Sequence, residues 1–197
     1  MTTASAHPIG KKRAIMDAAR RLLVSHGYQD VTMDDVAHQA GVGKGTLFLY
    51  YKNKEQLLSA ALADLSDQLR ESLDGLAGSG KTGKALLEEA IAVVLRHFER
   101  NSDFVSQISL GRIPGCGHRC SSSLQRRFSE NHRRVVRVLT ECVASGLLRG
   151  EDLELSASFL FALCRSAALH KLFTGRDLGP AARRQKVLEF FLKGAGR

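Results

Sequence analysis

The 197-residue chain has no tryptophan, only three prolines and 6% aromatic residues. With proline so scarce, little in the sequence interrupts helices. Four cysteines are present, Cys116, Cys120, Cys142 and Cys164, and none lies in the first half. So few, in a chain this long, exclude a small secreted disulfide framework. No apolar run approaches the roughly 20 residues of a membrane span. The opening "MTTASAHPIGKKR" has no apolar core of its own, so it does not read as a secretory signal. A reducing, cytoplasmic location is the expectation.

What is there is ordinary in proportion, at 44% hydrophobic and 25% charged, and describes a folded chain able to bury a core. The formal charge is +9. A surplus of that size favours a polyanionic partner such as nucleic acid, although it also serves solubility.

Residues 1–10 read as a flexible arm. In "KKRAIMDAARRLLVSHG", Ile15, Ala18, Ala19, Leu22 and Leu23 recur on one helical face, and Gly27 marks the end. Thr32 and Asp35 then form a capping-box pattern with Asp in place of Glu. Met33, Val36, Ala37 and Ala40 make a narrow stripe that stops at Gly41. A short helix follows from about Lys44 to Tyr51. Asn53 caps a fourth, with Gln56 at its third position. "DGLAGSGKTGK" (74–84) is a Gly-rich connection. Five further helices are expected over about 85–101, 104–110, 122–147, 152–173 and 181–192. No segment alternates with period two. The fold class is all-α, with about nine helices.

"GVGKGTLFLYY" (41–51) resembles a phosphate loop at first sight, but Lys44 is followed by Gly45 rather than Ser or Thr. Residues 75–82 do match G-x-x-x-x-G-K-[ST] letter for letter. A phosphate loop needs a strand to aim it, and the preceding segment has helical spacing. The match is assigned to chance. Its alternative is a nucleotide-binding helical enzyme built on that segment.

Residues 32–51 instead read as helix, tight turn, short helix. In a helix-turn-helix the first helix braces the second, whose N-terminal residues enter the major groove. Ala37 and Ala40 supply small side chains where the helices cross. Gly43 takes the cap position of the second helix, and Lys44, Gly45 and Thr46 follow on its first turn. Gly45 permits close approach. Thr46 offers a hydroxyl and a methyl to phosphate or thymine. Lys54 opens the next helix, where a cation can pair with a phosphate. Leu47 and Tyr51 read as core, and His26 and His38 as ordinary surface residues.

"VTMDDVAHQAGVGKGTLFLYYKNKEQLL" resembles the DNA-binding domain of the TetR family of transcriptional regulators. The likeness spans about residues 10–58, roughly a quarter of the chain. It implies a helix-turn-helix domain over 11–56 and a larger helical domain over 57–197. The larger domain would bind a small effector and form a homodimer through its last two long helices. The expected activity is a ligand-responsive repressor on a palindromic double-stranded DNA operator, with no catalysis and no cofactor.

The resemblance places Thr32, Gly43, Lys44, Gly45, Thr46, Phe48, Tyr50 and Lys54 at DNA-contacting positions. Gly43 stands where Ser is common, so a hydroxyl is missing. Phe48 stands where Tyr is common, so a phenolic donor is missing. "KKR" at 11–13 would compensate by approaching phosphate or the minor groove. Candidate effector-lining residues are Ile91, Leu95, Phe98, Phe104, Ile108, Phe128, His132, Phe161 and Arg165. Cys116, His118 and Cys120 make one trio with no obvious fourth donor, so no metal is assigned. Bland loop cysteines are favoured there over a redox role.

Overall fold

A computed structural model describes residues 8–114 and 121–195. Every regular element among them is a helix. There are ten: α1 (Pro8–His26), α2 (Met33–Gln39), α3 (Lys44–Tyr50), α4 (Lys54–Asp74), α5 (Gly83–Arg100), α6 (Ser102–Ser109), α7 (Ser122–Ala144), α8 (Leu153–Ala168), α9 (His170–Thr174) and α10 (Pro180–Ala195). The all-helical class is as expected. The tenth helix arises because the span expected over 152–173 breaks at Leu169, whose φ of −91° and ψ of 0° leave the helical register. α1 begins at Pro8, inside the expected arm. Proline fits a first helical turn because its missing N–H has no acceptor to lose there.

The described residues divide into two compact units. One comprises residues 8–64 together with 103–114 and 121–124; the other comprises 65–102 and 125–195. α6 and the turn after it therefore group with the N-terminal helices.

In the N-terminal unit the α1 stripe is buried at Ile15, Ala18, Ala19 and Leu23. Gly27 ends α1 at φ +85° and donates its N–H to Leu23 O at 3.0 Å. The left-handed conformation is open to glycine without a Cβ penalty. The next amide, Tyr28 N–H, donates to Arg112 O at 2.9 Å, which ties the α1–α2 loop to the turn after α6. The Arg20 guanidinium pairs with Asp64 at 3.0 Å and sits 5.7 Å from the Phe104 ring centre, so one arginine on α1 holds α4 and α6.

The second unit is built around α5. Eight of its residues are buried: Leu86, Leu87, Ala90, Ile91, Ala92, Val93, Val94 and Leu95. α8 and α10 pack against it. Ala157, Leu160 and Cys164 of α8 and Val187, Leu188 and Phe191 of α10 are buried in this unit's core. Burial raises both thiols, Cys142 to about 11, so neither is a thiolate at neutral pH.

Candidate nucleic-acid interface

α2 and α3 are held in place by short-range chemistry. The Thr32 hydroxyl accepts from Asp35 N–H at 3.2 Å and donates to the Asp35 carboxylate at 2.6 Å. Thr32 N–H donates to the same carboxylate at 2.9 Å. The expected capping box is therefore complete with Asp. Those hydrogen bonds hold the Asp35 carboxyl below its ordinary value. Gly41 turns the chain at φ +64°, and Val42 N–H closes the turn onto Ala37 O at 3.0 Å. Val36, Ala37, Leu47 and Tyr51 are buried, so one side of α2 and α3 is fixed inward.

The other side of α3 faces out. Gly43 caps it with no side-chain hydrogen bond, as expected of a glycine there. Lys44, Gly45 and Phe48 are exposed, and Thr46 and Tyr50 are partly so. Lys44 Nζ lies 2.9 Å from the Asp34 carboxylate, an exposed pair joining α3 to α2. Sequence reasoning missed Leu49, which is 86% exposed and the most open large apolar side chain among the described residues of this unit. The signal was its position opposite the buried Leu47 on a seven-residue helix.

Lys54 is placed differently from the sequence expectation. Its ammonium donates to Tyr28 O, Gln29 O and Val31 O at 2.7, 3.2 and 2.9 Å, and lies 4.5 Å from the centre of the Tyr28 ring. A lysine has three N–H donors, and all three are satisfied within the loop that leads into α2.

The nine effector candidates are scattered. Ile91 and Leu95 are sealed in the core of the second unit, with Phe98 and Phe161 packed partly buried against it. Phe104 and Ile108 lie on α6 in the N-terminal unit, Phe104 buried beneath Arg20. Phe128 and Arg165 are exposed. His132 is engaged on both nitrogens, by Glu154 at 3.0 Å and Ser158 at 3.0 Å.

Two clefts in the second unit are lined by other residues. One, of about 570 Å³, runs between α8 and α10 and includes Leu155, Phe159, Leu163, Phe190 and Phe191. The other, of about 460 Å³, lies between Gln68, Glu71 and Ser72 of α4 and Arg96, His97 and Arg100 of α5.

The nucleotide alternative meets a contrary geometry. Residues 75–82 follow the helix α4 rather than a strand, and Lys81 pairs with Glu89 at 2.8 Å. Among the described residues, no group of His, Cys, Asp and Glu is arranged to hold a metal. The Cys116–Cys120 loop lies outside them.

A helix-turn-helix with one open face, joined to a further helical unit, defines a DNA-binding transcriptional regulator. Residues 15–61 match the profile of the bacterial regulatory proteins of the tetR family. It is 25% identical to the fatty acid metabolism regulator protein of Bacillus subtilis, over 93% of this chain and 95% of that one. Its fold matches the transcriptional regulator FadR from Bacillus subtilis in complex with stearoyl-CoA. The TM-score is 0.74 at 21% identity, over 93% of this chain and 98% of that one. The fatty acid degradation regulator FadR from Bacillus halodurans also matches, with a TM-score of 0.74 at 18% identity over 93% and 98% of the two chains.

Proposed function

We propose that the protein is a repressor that holds a two-fold symmetric operator as a homodimer and leaves it when a long-chain acyl-CoA binds. The observation that carries the DNA reading is the open face of α3, bearing Lys44, Gly45, Phe48 and Leu49. Thr46 and Tyr50 flank that face, and Thr32 caps the bracing helix. Lys54 acts by fixing the loop before α2.

Dimerisation is assigned to α8 and α10. α8 has two apolar faces. Ala157, Leu160 and Cys164 are buried in the core, while Leu155 and Phe159 are 47% and 56% exposed. Phe190 of α10, 68% exposed, extends the open face. A second copy covering this cleft would remove that apolar area from water on both subunits.

The effector class follows from the relative of nearly equal length that regulates fatty acid metabolism and from the neighbour bound to stearoyl-CoA. The acyl chain is assigned to the margin of the α5 core, at Phe98 and Phe161, which are only partly buried. The phosphates are assigned to the cleft bearing Arg96 and Arg100. Binding favours a conformer whose two recognition helices are wrongly spaced for the operator. α6 is the element of the N-terminal unit next in sequence to α5, and Arg20 and Tyr28 are its points of attachment to α1 and the α1–α2 loop. No catalytic step is part of this function. None of the described helices is long and apolar enough to cross a membrane, and action on the chromosome places the protein in the cytoplasm.

The test uses a duplex enriched from random sequence. Stearoyl-CoA added to the protein–duplex complex releases the DNA, whereas CoA and free stearate at equal concentration do not; Arg100→Ala raises the concentration needed. Equal release by stearate alone would remove the phosphate cleft from the account. No release by any of them would remove the acyl-CoA class. Phe159→Glu with Phe190→Glu yields a monomer by sedimentation; a persistent dimer would contradict the α8–α10 assignment.

A further inference from the structure

We infer that Gly45 and Leu49 form a single readout stripe on α3 that recognises a pyrimidine C5-methyl group in the major groove. The inference rests on the DNA-binding reading above.

The two residues are four apart on the helix and so share a face. That face is opposite Leu47, which is fully buried. Leu49 is 86% exposed, so no neighbour within the chain accounts for an apolar side chain there. Gly45 supplies the independent observation. It is not among the glycines of positive φ, so its backbone conformation is open to any residue. A Cβ built on it meets nothing within 4 Å, so no close packing within the protein calls for glycine either. Glycine is nonetheless a poor helix former, and this helix has only seven residues. The space over Gly45 is therefore open to a partner outside the chain. It lets the α3 backbone approach the base edges, and Leu49 borders the same space.

In the major groove the pyrimidine C5-methyl is the apolar feature that an aliphatic side chain can distinguish. Thymine carries it in ordinary DNA, and 5-methylcytosine carries it in modified DNA. Leu49 has no hydrogen-bonding atom, so its contribution to sequence preference is this contact.

The experiment titrates the enriched duplex by fluorescence anisotropy, replacing thymines by uracil one symmetric pair at a time. Removing a methyl from each half-site weakens the wild type about tenfold at one position. Leu49→Ala binds the thymine duplex more weakly by a similar factor and no longer distinguishes thymine from uracil. Gly45→Ala raises the melting temperature by about 2 °C while weakening the duplex at least tenfold. If 5-methylcytosine at the sensitive position restores the affinity lost with plain cytosine, the methyl itself is what is read. If restoration requires thymine, the methyl assignment is overturned in favour of a hydrogen-bonding contact. Equal affinity for thymine and uracil at every position overturns the inference, as does discrimination retained by Leu49→Ala. Failure to enrich any duplex overturns the DNA-binding reading itself, and this inference with it.

Discussion

α5 hides eight of its side chains, from Leu86 to Leu95, whereas α3 hides only Leu47. Both helices are rich in apolar residues, so composition alone does not separate them. The difference lies in what each apolar side chain is given to touch. Around α5 there are α8 and α10 and a continuous core. On the open side of α3, Phe48 and Leu49 meet solvent. Residues of α5 are therefore set by folding, and the outward residues of α3, on the proposed function, by DNA. Substitutions in the two helices should fail in different assays.

The largest effect is expected at α5. Ile91 is fully buried, and Ile91→Ala removes about 2–5 kcal/mol of stability, measured by urea unfolding. The fraction that stays folded should bind the enriched duplex with unchanged affinity. A loss of affinity beyond the loss of folded protein would blur the division between the helices.

A finer contrast comes from two lysines near the interface. Lys54→Met abandons three carbonyls of the 28–31 loop and lowers stability by about 2 kcal/mol. Lys44→Met breaks only an exposed pair with Asp34 and changes stability by less than about 0.5 kcal/mol. Lys44→Met instead weakens DNA binding and reduces the dependence of log affinity on log salt by about one. The reverse pattern, with Lys54 setting the salt dependence and Lys44 the stability, would exchange their roles.

The smallest effect is the pH dependence of the α2 cap. The Thr32 hydroxyl and amide hold the Asp35 carboxyl below its ordinary value of 3.8. A carboxylate whose folded pKa is depressed contributes stability that is complete above the unfolded value. That contribution is lost as pH falls through the folded value. Melting curves from pH 5 to pH 3 should show a decline that is shallower in Asp35→Asn, with the variant already less stable at pH 5.

Local chemistry explains what was legible in the chain. The α1 stripe, the Thr32–Asp35 cap, the glycine stops at 27 and 41 and the buried Leu47 and Tyr51 depend on neighbours a few residues away. Features set by distant segments were not legible. Phe104 reads like any apolar helical residue, yet it lies beneath Arg20 in the N-terminal unit. Lys54 looks alike in sequence whether it serves a phosphate or three carbonyls. Leu49 reads like any apolar helical residue, and its exposure is a property of the folded helix. His132 looked available as a polar group among apolar ones, but Glu154 and Ser158 already occupy its two nitrogens.

The most direct measurement is selection from random duplex DNA by the full-length protein, with Thr46→Ala in parallel. The expected result is enrichment of a two-fold symmetric sequence that Thr46→Ala holds at least several-fold more weakly. Salt-sensitive binding with no enriched sequence would mean that the +9 charge acts without base readout, and would contradict the assignment of α3 as the reading helix.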